Sequence, residues 1–196
     1  MNAEEQATAF TNARNLGLWL HGQGIDLSAW GNGKNKSVDN LWQEIVAHDC
    51  RLLAGPKRMV EMAVIIVEAK SKVLCEAKQE FRDGRTRIRN KPPGEKMQTG
   101  ETVRETVFRC VKQELRIRQN AFRIAKIYDT PVSAIKESDS YPGLTTEYAQ
   151  HYAKVFIPSL PLNDFSTEEL GDAHDPVRRH WWTWKDRKEL TLPPFI

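Results

Sequence analysis

The sequence lacks most of the features that would assign it to a specialised class. No apolar run approaches the roughly 20 residues that span a bilayer, so no membrane insertion is expected. No charge of one sign dominates: 29 Lys and Arg stand against 26 Asp and Glu, and a net charge of +3 is too small by itself to imply nucleic-acid binding. Cysteine is scarce. Cys50, Cys75 and Cys110 are odd in number and widely spaced, which speaks against a disulfide framework, and they lack the paired spacing of a zinc site. Free thiols in a reducing compartment are the reading, so a cytoplasmic protein is expected. The start, MNAEEQATAF, is acidic and polar, unlike a secretory signal or an Arg-rich transit peptide. There is no internal repeat and no low-complexity tract.

What is present is an ordinary globular composition, 40% hydrophobic and 28% charged over 196 residues, enough for one domain with a substantial core plus an extension. The first 50 residues read as that extension, and 51–196 as the main domain. A helix ending near Gly17 is expected first. The segment GIDLSAWG then alternates like a short strand. Ser37 is a good N-cap for a helix through Leu41, Trp42 and Ile45. From Arg58 the pattern becomes β, with a turn at AKSK, a returning strand KVLCEAKQEF, and a hairpin signal at Asp83-Gly84 leading into RTRIRNK. After Glu101, Val103, Val107, Val111 and Leu115 recur at near-helical spacing. The segments NAFRIAKIYDTP, TTEYAQHYAKVFI and RRHWWTWKD are read as strands, the last with a final helix as the alternative. Strands interrupted by helices point to a mixed sheet with helices on its faces.

The stretch from Glu95 to Ile117, EKMQTGETVRETVFRCVKQELRI, resembles the Nudix box, G-x5-E-x7-R-E-U-x-E-E-x-G-U with U a bulky aliphatic. Glu101, Arg109, Val111, Glu114 and Ile117 fall on pattern positions. Glu95 and Arg116 stand where the family has glycine, and Cys110 and Gln113 where it has glutamate. Downstream, SYPGLTTEYAQHYAKVF is similar to the S-P-G-x-T-x-E segment of Nudix enzymes acting on ADP-ribose and related compounds; Tyr141 interrupts the Ser-Pro pair and Glu147 takes the glutamate slot. The resemblance implies a Nudix-type α/β/α sandwich with a mixed sheet. It implies an ancestral Mg²⁺-dependent hydrolysis of a diphosphate, with Glu114, Arg109 and Glu147 as catalytic residues.

The departures fall on the metal chemistry. Mg²⁺ wants hard oxygen ligands, and a helix offers several carboxylates to one ion only at i, i+3 and i+4. Positions 110, 113 and 114 have that spacing, but here they present a thiol, a neutral amide and one carboxylate. Mg²⁺ is therefore expected to bind weakly or not at all, through Glu114 and a substitute such as Glu95. Glu95, Glu114 and Glu147 could rebuild a site, with Glu105 beside Glu101; alternatively Glu95 and Glu105 are solvated acids. Arg85, Arg87 and Arg89 alternate along one strand face. With Lys96 nearby they are candidates for binding phosphate, the alternative being a charged solvent edge. The tryptophans of RHWWTWK are read as core, and His174 and His180 as ordinary histidines.

These readings converge on a diverged Nudix-like protein that binds a phosphorylated small molecule or a protein partner and hydrolyses poorly. An active hydrolase with a rearranged site and a structural subunit of a larger assembly are the alternatives.

Overall fold

The computed structural model describes residues 10–33, 35–53, 55–171 and 177–196. The α/β class holds, with a large mixed sheet and few helices. The chain divides into two compact units. One comprises the residues up to Met62 with Lys96–Gly100 and Val132–Gln150; the other comprises Ala63–Glu95, Glu101–Pro131 and His151–Ile196.

The first unit is built on two helices. Helix α1 (Ala13–Gly22) starts at Asn12, whose side chain accepts from the Asn15 N–H. It runs through Gly17 to Gly22, five residues past the expected stop, because Leu16 and Leu20 bury one helical face and Gly17 alone does not break it. Helix α2 (Val38–Val46) begins where expected. Ser37 caps the Asn40 N–H while the Asn40 side chain returns to the Ser37 N–H. The alternation in GIDLSAWG does not make a strand: residues 25–27 are irregular and 28–31 form a turn, and Ile25 and Trp30 belong to the core. Strand β1 (Arg51–Leu53) pairs with the start of β2 (Lys57–Ala69), and β7 (Val132–Glu137) pairs with the first half of β8 (Thr145–Phe156). Leu16, Leu20, Leu41, Ile45, Leu52, Val60, Tyr141 and Leu144 form the apolar core.

Inside that core sits a buried carboxylate. Glu44 of α2 accepts from Arg58, from Lys36 Nζ at 2.5 Å and from the Tyr141 hydroxyl at 3.1 Å, with Lys96 Nζ at 3.5 Å. Burial opposes its charge, but the three cations prevail and hold its pKa down at about 2. Tyr141, the residue that interrupts the Ser-Pro pair, is thus a core residue, its ring under the Arg58 guanidinium and beside Trp30.

In the second unit the strands run in the order β6-β8-β2-β3-β10-β9, with β4 beside β3. Their bounds are β3 Lys72–Phe81, β4 Thr86–Lys91, β5 Gly94–Lys96, β6 Arg123–Ile127, β9 Phe165–Glu168 and β10 Val177–Asp186. Lys70 and Ser71 both have positive φ, +48° and +66°, the conformation of a tight hairpin turn that suits the twist of β2 and β3. RRHWWTWKD is strand β10. Of its tryptophans only Trp182 is fully in the core; Trp181 is partly exposed, with Lys78 Nζ 4.7 Å above its ring.

Helix α3 (Val103–Gln113) packs on this sheet, as the resemblance implies. Thr102 caps the Glu105 N–H, and the Glu105 carboxylate returns to the Thr102 N–H at 2.8 Å. Glu105 is therefore a capping residue, which the T-x-x-E spacing carries in plain sight. Val107, Cys110, Val111 and Leu115 bury one stripe against Ile65, Leu74, Val155 and Trp182.

Candidate functional site

The stripe that seats α3 decides what position 110 can do. Cys110 is fully buried in the apolar cluster, and burial pushes its thiol pKa well up. Its sulfur also faces the Glu114 carboxyl group, so an ionised glutamate at this position would set a second buried acid against the first. Gln113 is half-buried, and its carbonyl accepts from the Leu170 N–H at 3.1 Å. It lines a cleft of about 330 Å³ with Phe108, Arg109, Lys112, Gln119 and Leu170.

Glu114 follows at the helix C-cap. Its N–H still bonds back to the Cys110 carbonyl at 2.9 Å, and its own carbonyl accepts from Thr167 Oγ1. Two residues later Arg116 adopts φ +62°, the left-handed conformation that the family's glycine provides without strain. This ending directs the Glu114 carboxyl group inward, where Glu76 of β3 and His180 of β10 also offer ligand atoms within 4.8 Å of one another. His180 Nδ1 lies 2.5 Å from Glu76 Oε1, and its Nε2 lies 2.7 Å from Glu169 Oε2. The second oxygen of Glu76 accepts from Arg89 Nε at 3.0 Å. The imidazole stacks on Trp182, with centroids 5.5 Å apart.

Electrostatically this is a crowded negative centre. Burial raises the Glu114 pKa well above the carboxylate range, and Glu95, Glu76 and Glu169 add to it, against the opposing pull of His180. Burial by itself would depress His180, but its contacts with Glu169 and Glu76 overcome that and raise it to about 10, so the ring is an imidazolium at neutral pH. Burial would likewise raise Glu76, yet the His180 contact and Arg89 bring it below its usual value.

The other expected residues fall into separate groups. Arg109 makes a paired contact with Glu101, Nε to Oε1 at 3.0 Å and Nη2 to Oε2 at 2.9 Å, and reaches Glu95 at 3.5 Å. Along the arginine stripe, Arg85 pairs with Asp83 at 2.7 Å, Arg87 donates to Gln79, and Arg89 joins the Glu76 centre. Lys96 and Glu147 belong to the first unit. Lys96 lies between Glu44 and Asp49, and Glu147 is held by Lys57 at 2.8 Å and Ser133 at 3.0 Å. His174 lies outside the described residues.

Glu76, Glu169 and His180 escaped the sequence reading. For His180 a signal existed: it shares strand parity with Trp182, so a polar residue occupies an inward position that needs a partner.

The donor set does not suit Mg²⁺ in the manner of the Nudix box. Of positions 110, 113 and 114 only the last offers a carboxylate, a thiol is too soft for this ion, and the added imidazole is not a donor it favours.

No known family profile matches the chain, and no curated protein matches it. Solved structures do. A Caenorhabditis elegans Ap4A hydrolase is 17% identical over 67% of this chain and 83% of its own, with a TM-score of 0.37. The Escherichia coli ORF135 protein is 16% identical over 70% and 79%, with a TM-score of 0.37. A NUDIX hydrolase from Nitrosomonas europaea is 17% identical over 63% and 72%, with a TM-score of 0.38. Of these three, the Nitrosomonas europaea protein is named a NUDIX hydrolase.

Proposed function

We propose that the protein is a diverged Nudix-like domain that binds a phosphorylated ligand, of the nucleoside or organic diphosphate kind, and hydrolyses it poorly. One observation carries the reading: two of the three metal-facing positions of the box helix, 110 and 114, are interior. Cys110 lies in the apolar core, and Glu114 is buried against His180 and Glu76. Metal-assisted attack of water on phosphorus needs a cation held open to substrate and solvent. The box helix offers one buried carboxylate for that purpose. Ligand recognition would fall to the guanidinium groups of Arg85, Arg87 and Arg89, of which Arg85 is the most exposed. Three buried, unbridged thiols suit a reducing cytoplasmic setting. Among the described residues no helix is long and apolar enough to cross a membrane.

A protein partner is the second reading, and a different observation favours it. Ile88, Lys78 and Trp181 lie opposite one another across β4, β3 and β10, leaving Ile88 68% and Trp181 37% exposed in one row.

The test is a panel of nucleotides, sugar nucleotides and inorganic phosphates, with and without Mg²⁺, read by thermal shift and by turnover. Stabilisation by a diphosphate is expected, weakened and made less salt-dependent when Arg85, Arg87 and Arg89 are all changed to Gln. Turnover should lie far below the usual range of about 1–10³ s⁻¹. Turnover within that range, abolished by Glu114→Gln, would show an active hydrolase instead.

A further inference from the structure

The mismatch with Mg²⁺ has a counterpart: the same centre has the donors of a different metal site. We infer that Glu76, Glu114 and His180 form a site for one borderline transition cation of the Zn²⁺ class. Two of these ligands come from strands outside the box.

Three features of the geometry point to it. First, the ligand atoms of all three residues lie within 4.8 Å of one another, a spread that one ion with bonds of about 2.0–2.2 Å can close. Second, the surrounding contacts are those a metal site requires. A ligating imidazole commonly donates its other N–H to a carboxylate, which fixes its tautomer and orientation. Here Nε2 faces Glu169 at 2.7 Å, and Nδ1 is left on the side of Glu76. Glu76 is itself steadied by Arg89 on its other oxygen at 3.0 Å. Third, the Glu114 carboxyl group is over nine-tenths buried and is directed into this centre, where its neighbour on the helix side is the Cys110 thiol, and no cationic side chain among the described residues makes an ion pair with it.

The donor chemistry selects the ion. Imidazole with carboxylate suits Zn²⁺ and its neighbours, whereas Mg²⁺ prefers oxygen donors and keeps most of its water. Two carboxylates and a neutral imidazole give a net charge of −2, which a divalent ion cancels. The ion displaces two protons to solvent, the one shared between Nδ1 and Glu76 and the one carried by the Glu114 carboxyl group. Three protein ligands leave a fourth position on a tetrahedral ion.

The inference is independent of the ligand reading, because it is tested with metal alone. Chelator-treated full-length protein is titrated with ZnCl₂, CoCl₂ and MgCl₂ by calorimetry. One Zn²⁺ per chain is expected, at least 100-fold tighter than Mg²⁺. Co²⁺ should give visible absorption bands of a four- or five-coordinate site. His180→Gln and Glu76→Gln should each weaken Zn²⁺ by 100-fold or more, and Glu169→Gln by about 10–100-fold. If a variant fails to fold, X-ray absorption of the Zn²⁺-loaded wild type still decides. A shell of nitrogen and oxygen only supports the site; a sulfur neighbour assigns the ion to a cysteine and overturns it. Absence of stoichiometric Zn²⁺ binding, or binding indifferent to a folded His180→Gln, also overturns it.

Discussion

Glu44 and Glu114 are both buried carboxylates near the end of a helix, and their surroundings are opposite. Glu44 meets Arg58, Lys36, Lys96 and a tyrosine hydroxyl, and its pKa falls to about 2. Glu114 meets Glu95, Glu76 and Glu169 with His180 against them, and its pKa rises. A compensated charge ties α2, the start of β2 and the Tyr141 turn into one core. An under-compensated one is a cost to the fold, and such costs concentrate where a protein binds or reacts. The contrast separates a compensated buried acid from one whose ionised form is opposed by its neighbours.

The largest expected effect extends the comparison to the position next to the box arginine. Cys110→Glu would place a fourth acid beside Glu114, after Glu95, Glu76 and Glu169, at the edge of an apolar cluster. We expect a loss of about 4 kcal/mol or more by urea unfolding, and with Gln113→Glu added the box should not be restored by Mg²⁺. Recovery of the double variant's melting temperature in millimolar Mg²⁺ would mean that the helix face can still open.

Removing the compensated charge comes next. Glu44→Gln leaves Arg58 buried without its counter-ion and should cost about 3–5 kcal/mol. The sign with pH follows from the depressed pKa. Glu44 contributes stability above its unfolded value of about 4.3, and that stability is lost as pH falls towards about 2. Wild type and Glu44→Gln should therefore converge in stability in strong acid. A constant gap down to pH 2 would show that packing, not charge, makes the difference.

The smallest effect concerns how α3 ends. Arg116 holds φ +62°, at a cost of roughly 1–2 kcal/mol to a residue with a side chain. Arg116→Gly should raise stability by about 1 kcal/mol while leaving Glu114 in place. A destabilised Arg116→Gly would mean that the arginine side chain makes a contribution larger than the strain.

Much of this contrast was half visible in the sequence. Ser37, Asp83-Gly84 and the helix after Glu101 announce themselves, because caps, turns and apolar stripes are local. Long-range partners were not legible. His180 and Glu76 lie 104 residues apart and meet through a register that shifts at two bulges, which no periodicity records. Nothing in the local sequence marks Glu44, since its cations arrive from a loop, a strand and the box segment. Gly17 and the GIDLSAWG alternation misled for the converse reason: local pattern yielded to the burial of Leu16, Leu20, Ile25 and Trp30.

The central claim is that the folded state penalises the ionised form of Glu114. A group whose folded pKa is raised is most favourable to the fold below its unfolded value, and its stability contribution is lost as pH rises through the folded value. His180, raised to about 10, adds a loss of the same sign above its unfolded value. Glu114→Gln keeps the shape and removes the charge. Urea unfolding of wild type and Glu114→Gln, in metal-free buffer at pH 5, 7 and 9, measures the difference directly. The account predicts a variant more stable than wild type at pH 9, by about 1 kcal/mol or more, or about 2–4 °C in melting temperature, with the advantage shrinking at pH 5. A variant less stable than wild type at all three values would contradict it, and would place Glu114 beside Glu44 as a structural acid.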